Sequence, residues 1–213
     1  VLDWPYDRSV FLNCPFDRAY RPMLRAIMFA IHDCGFFARS ALEVQDSSDV
    51  RFQKIVRIIR TSEYAIHDIS RVQLDPATRL PRFNMPLELG LFLGAKEFGD
   101  AEQRTKRSLV LDRTAYRYQK FCSDIAGQDI EAHANKPAKA IELVRNWLSG
   151  PANERGSRIP SGTVIASVIA SRYGQFVTEL PEWCERQKLI VSQLTYGDNY
   201  LLISDWLKTN PVV

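Results

Sequence analysis

The chain has 213 residues, 46% hydrophobic and 25% charged, with a formal net charge of +3. A chain of this make-up buries a real core unaided, which excludes disorder, a collagen-like rod and a disulfide-stapled miniprotein. No apolar run approaches the roughly 18 residues of a membrane span, and the charge is too weak to argue for direct nucleic-acid binding.

Residues 9–15 (SVFLNCP) are a short apolar run closed by proline, the pattern of a buried strand. Leu24, Ile27, Met28 and Ile31 recur at helical spacing, and Gly35 ends that helix. Residues 36–44 suit a second strand. Phe52, Ile55, Val56 and Ile59 mark a second helix, and residues 64–70 (YAIHDIS) a third strand with a polar end. After a loop with two prolines, Met85, Leu89, Phe92 and Leu93 mark a helix that Asn84 can cap. Residues 107–111 read as a fourth strand, 116–126 as a short helix and 128–132 as a short fifth strand. Ala140, Leu143, Val144 and Trp147 mark a helix stopped by Ser149-Gly150.

This repetition predicts an α/β, flavodoxin-like fold: a doubly wound parallel five-stranded sheet of order 2-1-3-4-5. The first module spans residues 1–150, and residues 151–162 (PANERGSRIPSG) read as a linker. Residues 163–213 form a small C-terminal α-helical extension. One helix carries Val164, Ile165, Val168 and Ile169, and another opens at Pro181 with Trp183, Leu189 and Val191. Gly197-Asp198-Asn199 reads as a turn before a last helix over 200–207 with Trp206. So short an extension buries little area alone, so it must pack on the first module, a second copy or a partner.

In an open parallel sheet, ligands bind beyond the carboxyl ends of the strands, where strand order reverses. The first strand delivers Asn13, Cys14, Pro15, Phe16 and Asp17 there. The third delivers His67, Asp68 and Ser70, and the next loop Arg79, Arg82, Phe83 and Asn84. Glu88 falls in the first turn of the following helix. Leu87 and Leu89 flank it, and Gly90 and Gly94 would let that helix lie close to the sheet, making Glu88 a carboxylate in a packed element. GxGxxG, GxxxxGK[ST] and GxSxG are absent. A phosphorylation receiver would place its acceptor at Asp68, but Asn13 and Cys14 cannot supply the acidic pair that holds Mg²⁺. Cys14 lacks a histidine partner and reads as a small buried hydrophobe. His67 points away from Asp68 by strand alternation. Tyr116 and Tyr118 either line a base pocket or belong to the core. The four cysteines, Cys14, Cys34, Cys122 and Cys184, form no CxxC pair, and with the scattered histidines they give no zinc spacing. No metal is expected, and residues 1–7 lack a signal-peptide layout. A reduced, cytoplasmic chain is the expectation.

The strings VFLNCPFDRAYRPMLRAI, YAIHDIS and PRFNMPLELGLFLGA resemble the nucleoside 2-deoxyribosyltransferase-like and TIR-like superfamily over roughly two thirds of the chain. The resemblance implies that Glu88 is the catalytic glutamate. It implies that Asp68 orients the sugar or base, and that Asn13, Pro15 and Phe16 belong to the loop over the ribose. The chain is also similar to bacterial TIR-like proteins of phage defence, where NAD is often the substrate. Just before Glu88 the transferases carry a further acid where this chain has Arg82, which favours a phosphate-bearing substrate. With Asp17, Ser70, Arg82 and Asn84 as further substrate contacts, the expected activity is an N-glycosidase on NAD or a related nucleotide, without a cofactor. A carboxylate beside C1′ would attack or stabilise an oxocarbenium-like centre. Arg71, Arg79 and Arg82 are the expected phosphate binders. The alternatives are a non-catalytic nucleotide sensor, an interaction module built on the C-terminal helices, or a nucleoside or nucleotide 2-deoxyribosyltransferase. The expected partners are a nucleotide and, through the C-terminal helices, a second copy or a regulatory protein or ribonucleoprotein. Neither a membrane nor nucleic acid bound directly is expected; in the tail Arg186, Lys188 and Lys208 are balanced by Glu182, Glu185 and Asp205.

Overall fold

The computed structural model describes residues 4–43, 49–72, 74, 79–81, 83–154 and 163–211, with the backbone only for 163–167. Five strands form one sheet: β1 (Ser9–Asn13), β2 (Phe37–Arg39), β3 (Tyr64–Asp68), β4 (Arg107–Asp112) and β5 (Ile130–Ala132). Their order is β2-β1-β3-β4-β5 and every pairing is parallel. With six α-helices among the described residues, this is the doubly wound α/β arrangement expected of a flavodoxin-like fold.

Strand alternation sorts side chains to the two faces. Val10, Leu12, Tyr64 and Ile66 enter the larger core with α1 (Arg21–Asp33) and α4 (Pro137–Glu154). Phe11 and Ala65 face the other way, onto α2 (Arg51–Arg60) and α3 (Asn84–Phe98). Helix α1 ends as its sequence announces. Gly35 takes φ 80°, and Phe36 N–H donates back to the Ile31 carbonyl at 3.1 Å.

Several elements differ from expectation. Edge strand β2 stops at Arg39, where the Arg39–Glu43 ion pair (2.7 Å) and the bond from Glu43 N–H to the Ser40 carbonyl close a turn. Residues 116–126 form two short 3₁₀ turns, Arg117–Lys120 and Ser123–Ile125, because the Arg117 side chain and the buried Tyr118 are anchored to the sheet. Helix α4 runs through Gly150 and Pro151 to Glu154. Burial of Pro151 and Ala152, and the paired bonds from Arg107 to Glu154 (3.0 and 2.9 Å), offset the missing proline donor. The predicted linker therefore begins inside a helix, and residues 155–162 lie outside the described residues.

Helix α5 (Thr163–Arg186) is continuous through Pro181. Its buried stripe, Ile169, Phe176, Leu180 and Cys184, runs past the proline, whose ring sits on the exposed side. The predicted Gly197-Asp198-Asn199 turn is the first turn of α6 (Tyr196–Thr209), held by a capping box between Thr195 and Asp198. Phe176, Leu202, Ile203 and Trp206 are fully buried, in one core with Phe29 of α1. Among the described residues, this apolar face of the extension thus packs on the first module, while Val168, Val177, Ile190, Val191 and Leu201 stay exposed. No described helix is long and apolar enough to cross a membrane.

Candidate functional site

The carboxyl ends of β1 and β3 meet the start of α3 through Asn13. Its Nδ2 donates to the Met85 carbonyl and to His67 Nδ1, both at 2.9 Å. A carbonyl only accepts, so this nitrogen must be the amide donor and His67 Nδ1 must accept. Burial lowers the His67 pKa to about 3, so the ring is neutral and its proton sits on Nε2. Asn13 thereby fastens α3 to the sheet.

On α3 the buried positions are Met85, Glu88, Leu89 and Phe92, one stripe at i, i+3, i+4, i+7. Glu88 is 8% exposed and has no hydrogen-bond partner among the described residues. Burial pushes its carboxyl up to about 7, against the opposing pull of Arg51. Three local expectations change. Phe83 is the N-cap and Asn84, exposed, is the first helical residue, without a side-chain cap. Glu88 is the fifth residue of the helix, beyond the first turn, so the helix dipole offsets little of its desolvation. A Cβ at Gly90 would meet nothing within 4 Å and one at Gly94 only Phe98, while Leu87 is 56% exposed. The glycines therefore do not set the helix on the sheet; Leu89 and Phe92 do.

Asp68 faces the opposite side of the sheet and is wholly buried. Its Oδ1 accepts the Ser70 N–H (2.8 Å), and its Oδ2 accepts the Tyr20 hydroxyl and lies 3.1 Å from His133 Nε2. Asn135 N–H donates to His133 Nδ1 at 3.0 Å, which leaves the ring proton on Nε2, beside Asp68. Ala134 and Asn135 both adopt left-handed φ (51° and 56°) to make that bond. Burial and the Asp68 charge hold the Tyr20 phenol well above its usual pKa, so it stays a donor. Asp68 thus orients Tyr20 and Ser70 rather than opening to solvent itself.

The remaining predicted residues divide. Pro15 is buried, and Phe16 packs partly buried against the main core. Asp17 accepts the Tyr20 N–H (3.1 Å) and sits 3.8 Å from Arg71, so it is spent on the turn into α1. Cys14 is buried, and desolvation, then the Asp68, Glu88 and Asp17 charges, push its thiol well up. It is no nucleophile. Arg79 is exposed and left-handed, and Arg82 lies outside the described residues. Tyr118 is core, whereas Tyr116 is exposed.

Sequence reasoning missed Tyr20, His133, Arg113 and Arg117. Arg117 donates to Asp112 (3.0 Å) and to the Ile69 and Ser70 carbonyls (3.1 and 3.0 Å), locking the end of β3. The strand-end rule that found Asp68 also reaches Arg113 after β4 and His133 after β5. A cleft of about 500 Å³ opens over this edge, with Tyr20, Ser70, Arg71, Arg113, Asn135 and Pro137 in its walls. The described residues contain no group of three or more His, Cys, Asp or Glu side chains placed to hold a metal ion. No protein-family model, no curated protein and no solved structure matches the chain.

Proposed function

We propose that the chain is an N-glycosidase acting on NAD or a related nucleotide, with Glu88 as the carboxylate at the sugar C1′. The observation that carries this reading is Glu88 itself: a nearly buried carboxyl without a hydrogen-bond partner, at the reversal point of the sheet, with a pKa near 7. A structural carboxylate so largely shielded from water is normally paired. An unpaired one is held ready for a charge that arrives with the ligand. In NAD the C1′–N bond breaks with its electron pair returning to the pyridinium ring, so nicotinamide leaves neutral and needs no acid. The anion of Glu88 stabilises or captures the cationic C1′. Water then adds there and its proton passes to Glu88 or to solvent. Tyr20 and Ser70, held by Asp68, supply fixed polar groups at the same carboxyl edge, on the other face of the sheet.

Binding without turnover is the second reading. It is favoured by the fact that Asp68 and Asp17 are both occupied by bonds within the protein, leaving Glu88 to act alone. The deciding measurement is nicotinamide release from NAD by wild type and Glu88→Gln. High protein concentration is used, because the resemblance to defence effectors implies activity that waits for self-assembly or a partner. Release by wild type and its loss in the variant are expected. Equal release from both would remove Glu88 from the chemistry, and silence from a protein that binds nucleotide would leave the sensor.

A further inference from the structure

The cleft between α1 and α4 shares only Ser70 and Arg71 with the residues expected from sequence, and its walls carry an unusual balance of charge. Two guanidinium groups, Arg71 and Arg113, line it, and none of its described lining residues is an aspartate or glutamate. Three described carboxylates nearby, Asp68, Asp112 and Asp17, are engaged. Asp68 is beneath with Ser70, Tyr20 and His133, Asp112 is tied to Arg117, and Asp17 sits by Arg71. Arg113 is half-buried, yet its guanidinium has no ion pair or hydrogen bond among the described residues. The other arginines of this edge differ: Arg39 and Arg117 each hold a carboxylate at close range. A partly shielded guanidinium without a protein acceptor is available to an anionic ligand. Arg71 is only loosely held, 3.8 Å from Asp17 with both groups over one-third exposed, so it is free to swing toward a stronger anion.

The backbone adds to the same sign. Pro22 at the start of α1 and Pro137 at the start of α4 both line the cleft, so two helices of 13 and 18 residues open onto it. Neither has an acidic residue in its first turn, and α1 has no side-chain cap. The positive dipole ends of both helices therefore lie at the cleft. A cavity of about 500 Å³ exceeds a single carboxylate and accommodates a pyrophosphate with part of its ribose.

We infer that this cleft binds the phosphate groups of a nucleotide, with Arg113 as the principal cation and Arg71 as the second. The inference rests on the nucleotide reading above for the rest of the ligand. Of the expected phosphate binders it keeps Arg71 and puts Arg113, after β4, in place of Arg79 and Arg82. The sugar then crosses the carboxyl edge at Ser70, and the scissile bond lies toward Glu88 on the other face.

Calorimetric titration with inorganic pyrophosphate tests this on the full chain. Wild type is expected to bind, with affinity falling as salt rises. Arg113→Gln should weaken binding by about tenfold or more, the loss of a charge-assisted contact. Arg71→Gln should weaken it less, and Arg104→Gln, at the opposite edge of the sheet, should not change it. Unchanged circular dichroism confirms that each variant is folded. No binding by wild type, or equal binding by Arg113→Gln, overturns the inference. Glu88→Gln separates the two readings, because it must still bind pyrophosphate. If pyrophosphate binds through Arg113 while neither wild type nor variant releases nicotinamide, the glycosidase reading fails and the phosphate cleft stands. If nicotinamide is released at a rate and KM indifferent to Arg113, the cleft fails and the chemistry stands.

Discussion

Replacing Glu88 by glutamine should make the protein more resistant to unfolding above neutral pH, and the gain should vanish in mild acid. The carboxyl titrates at about 7 in the folded chain against a reference of 4.5. Between these values the folded state holds a proton that the unfolded state has released. Stability from this residue is therefore greatest below the unfolded value and falls as pH rises toward and past 7. At about 1.36 kcal/mol per tenfold change in proton affinity, the full effect has an upper bound of roughly 3 kcal/mol. Residual solvent contact and Arg51 reduce it, so about 1–3 kcal/mol is the expected difference between pH 5 and pH 8.5. For a chain of this size that is a Tm difference of about 2–12 °C. The measurement is urea or thermal unfolding of wild type and Glu88→Gln across that range, read as the difference between the two. The difference is essential because His32, lowered by burial to about 4, and His67, lowered to about 3, work in the opposite direction. Those rings bind protons more readily when unfolded, so they remove stability as pH falls through the range below 6.5. Both variants contain them, so their contribution cancels. The amide of glutamine adds a cost that does not depend on pH, so the slope is the signal. A difference independent of pH would refute the desolvated, unpartnered carboxyl on which the glycosidase reading is built.

Asn13→Ala should cost about 1–3 kcal/mol by urea denaturation, because it strands the buried His67 Nδ1 and removes the tie to the Met85 carbonyl. Trp206→Ala should cost about 3–5 kcal/mol, since the ring is fully buried against Phe29 and Phe176. A loss under about 1 kcal/mol would mean that α6 does not pack as described. Thr195→Ala should lower stability by about 0.5–2 kcal/mol through loss of the α6 cap, with nicotinamide release unchanged.

The order of the sheet was legible because its signals are local and repeated. The apolar runs at 9–13, 64–68 and 107–112 alternate with helices of clear periodicity, and parallel connections admit few topologies. Asp68 and Glu88 were legible as positions for the same reason: one ends a strand and the other falls on a helix beside the reversal point. The apolar stripe Met85–Leu89–Phe92 already implied that position 88 faces inward. Helix ends were less legible. Gly150, Pro151 and Pro181 are breakers by propensity, but continuous buried stripes on α4 and α5 outweigh a missing hydrogen bond.

Partnership was decided only by the tertiary structure. Composition and spacing place two acids at one edge. They do not show that Asp68 is sealed beneath Tyr20 and His133 while Glu88 is left alone, because those partners lie 48 and 65 positions from Asp68 in the chain. Arg113 looked like one arginine among many until the carboxylates around it were seen to be taken. The sequence determined the scaffold, since each strand and helix carries its own periodic signature. Three-dimensional packing decided which polar groups are satisfied, since that depends on contacts between residues far apart in the chain.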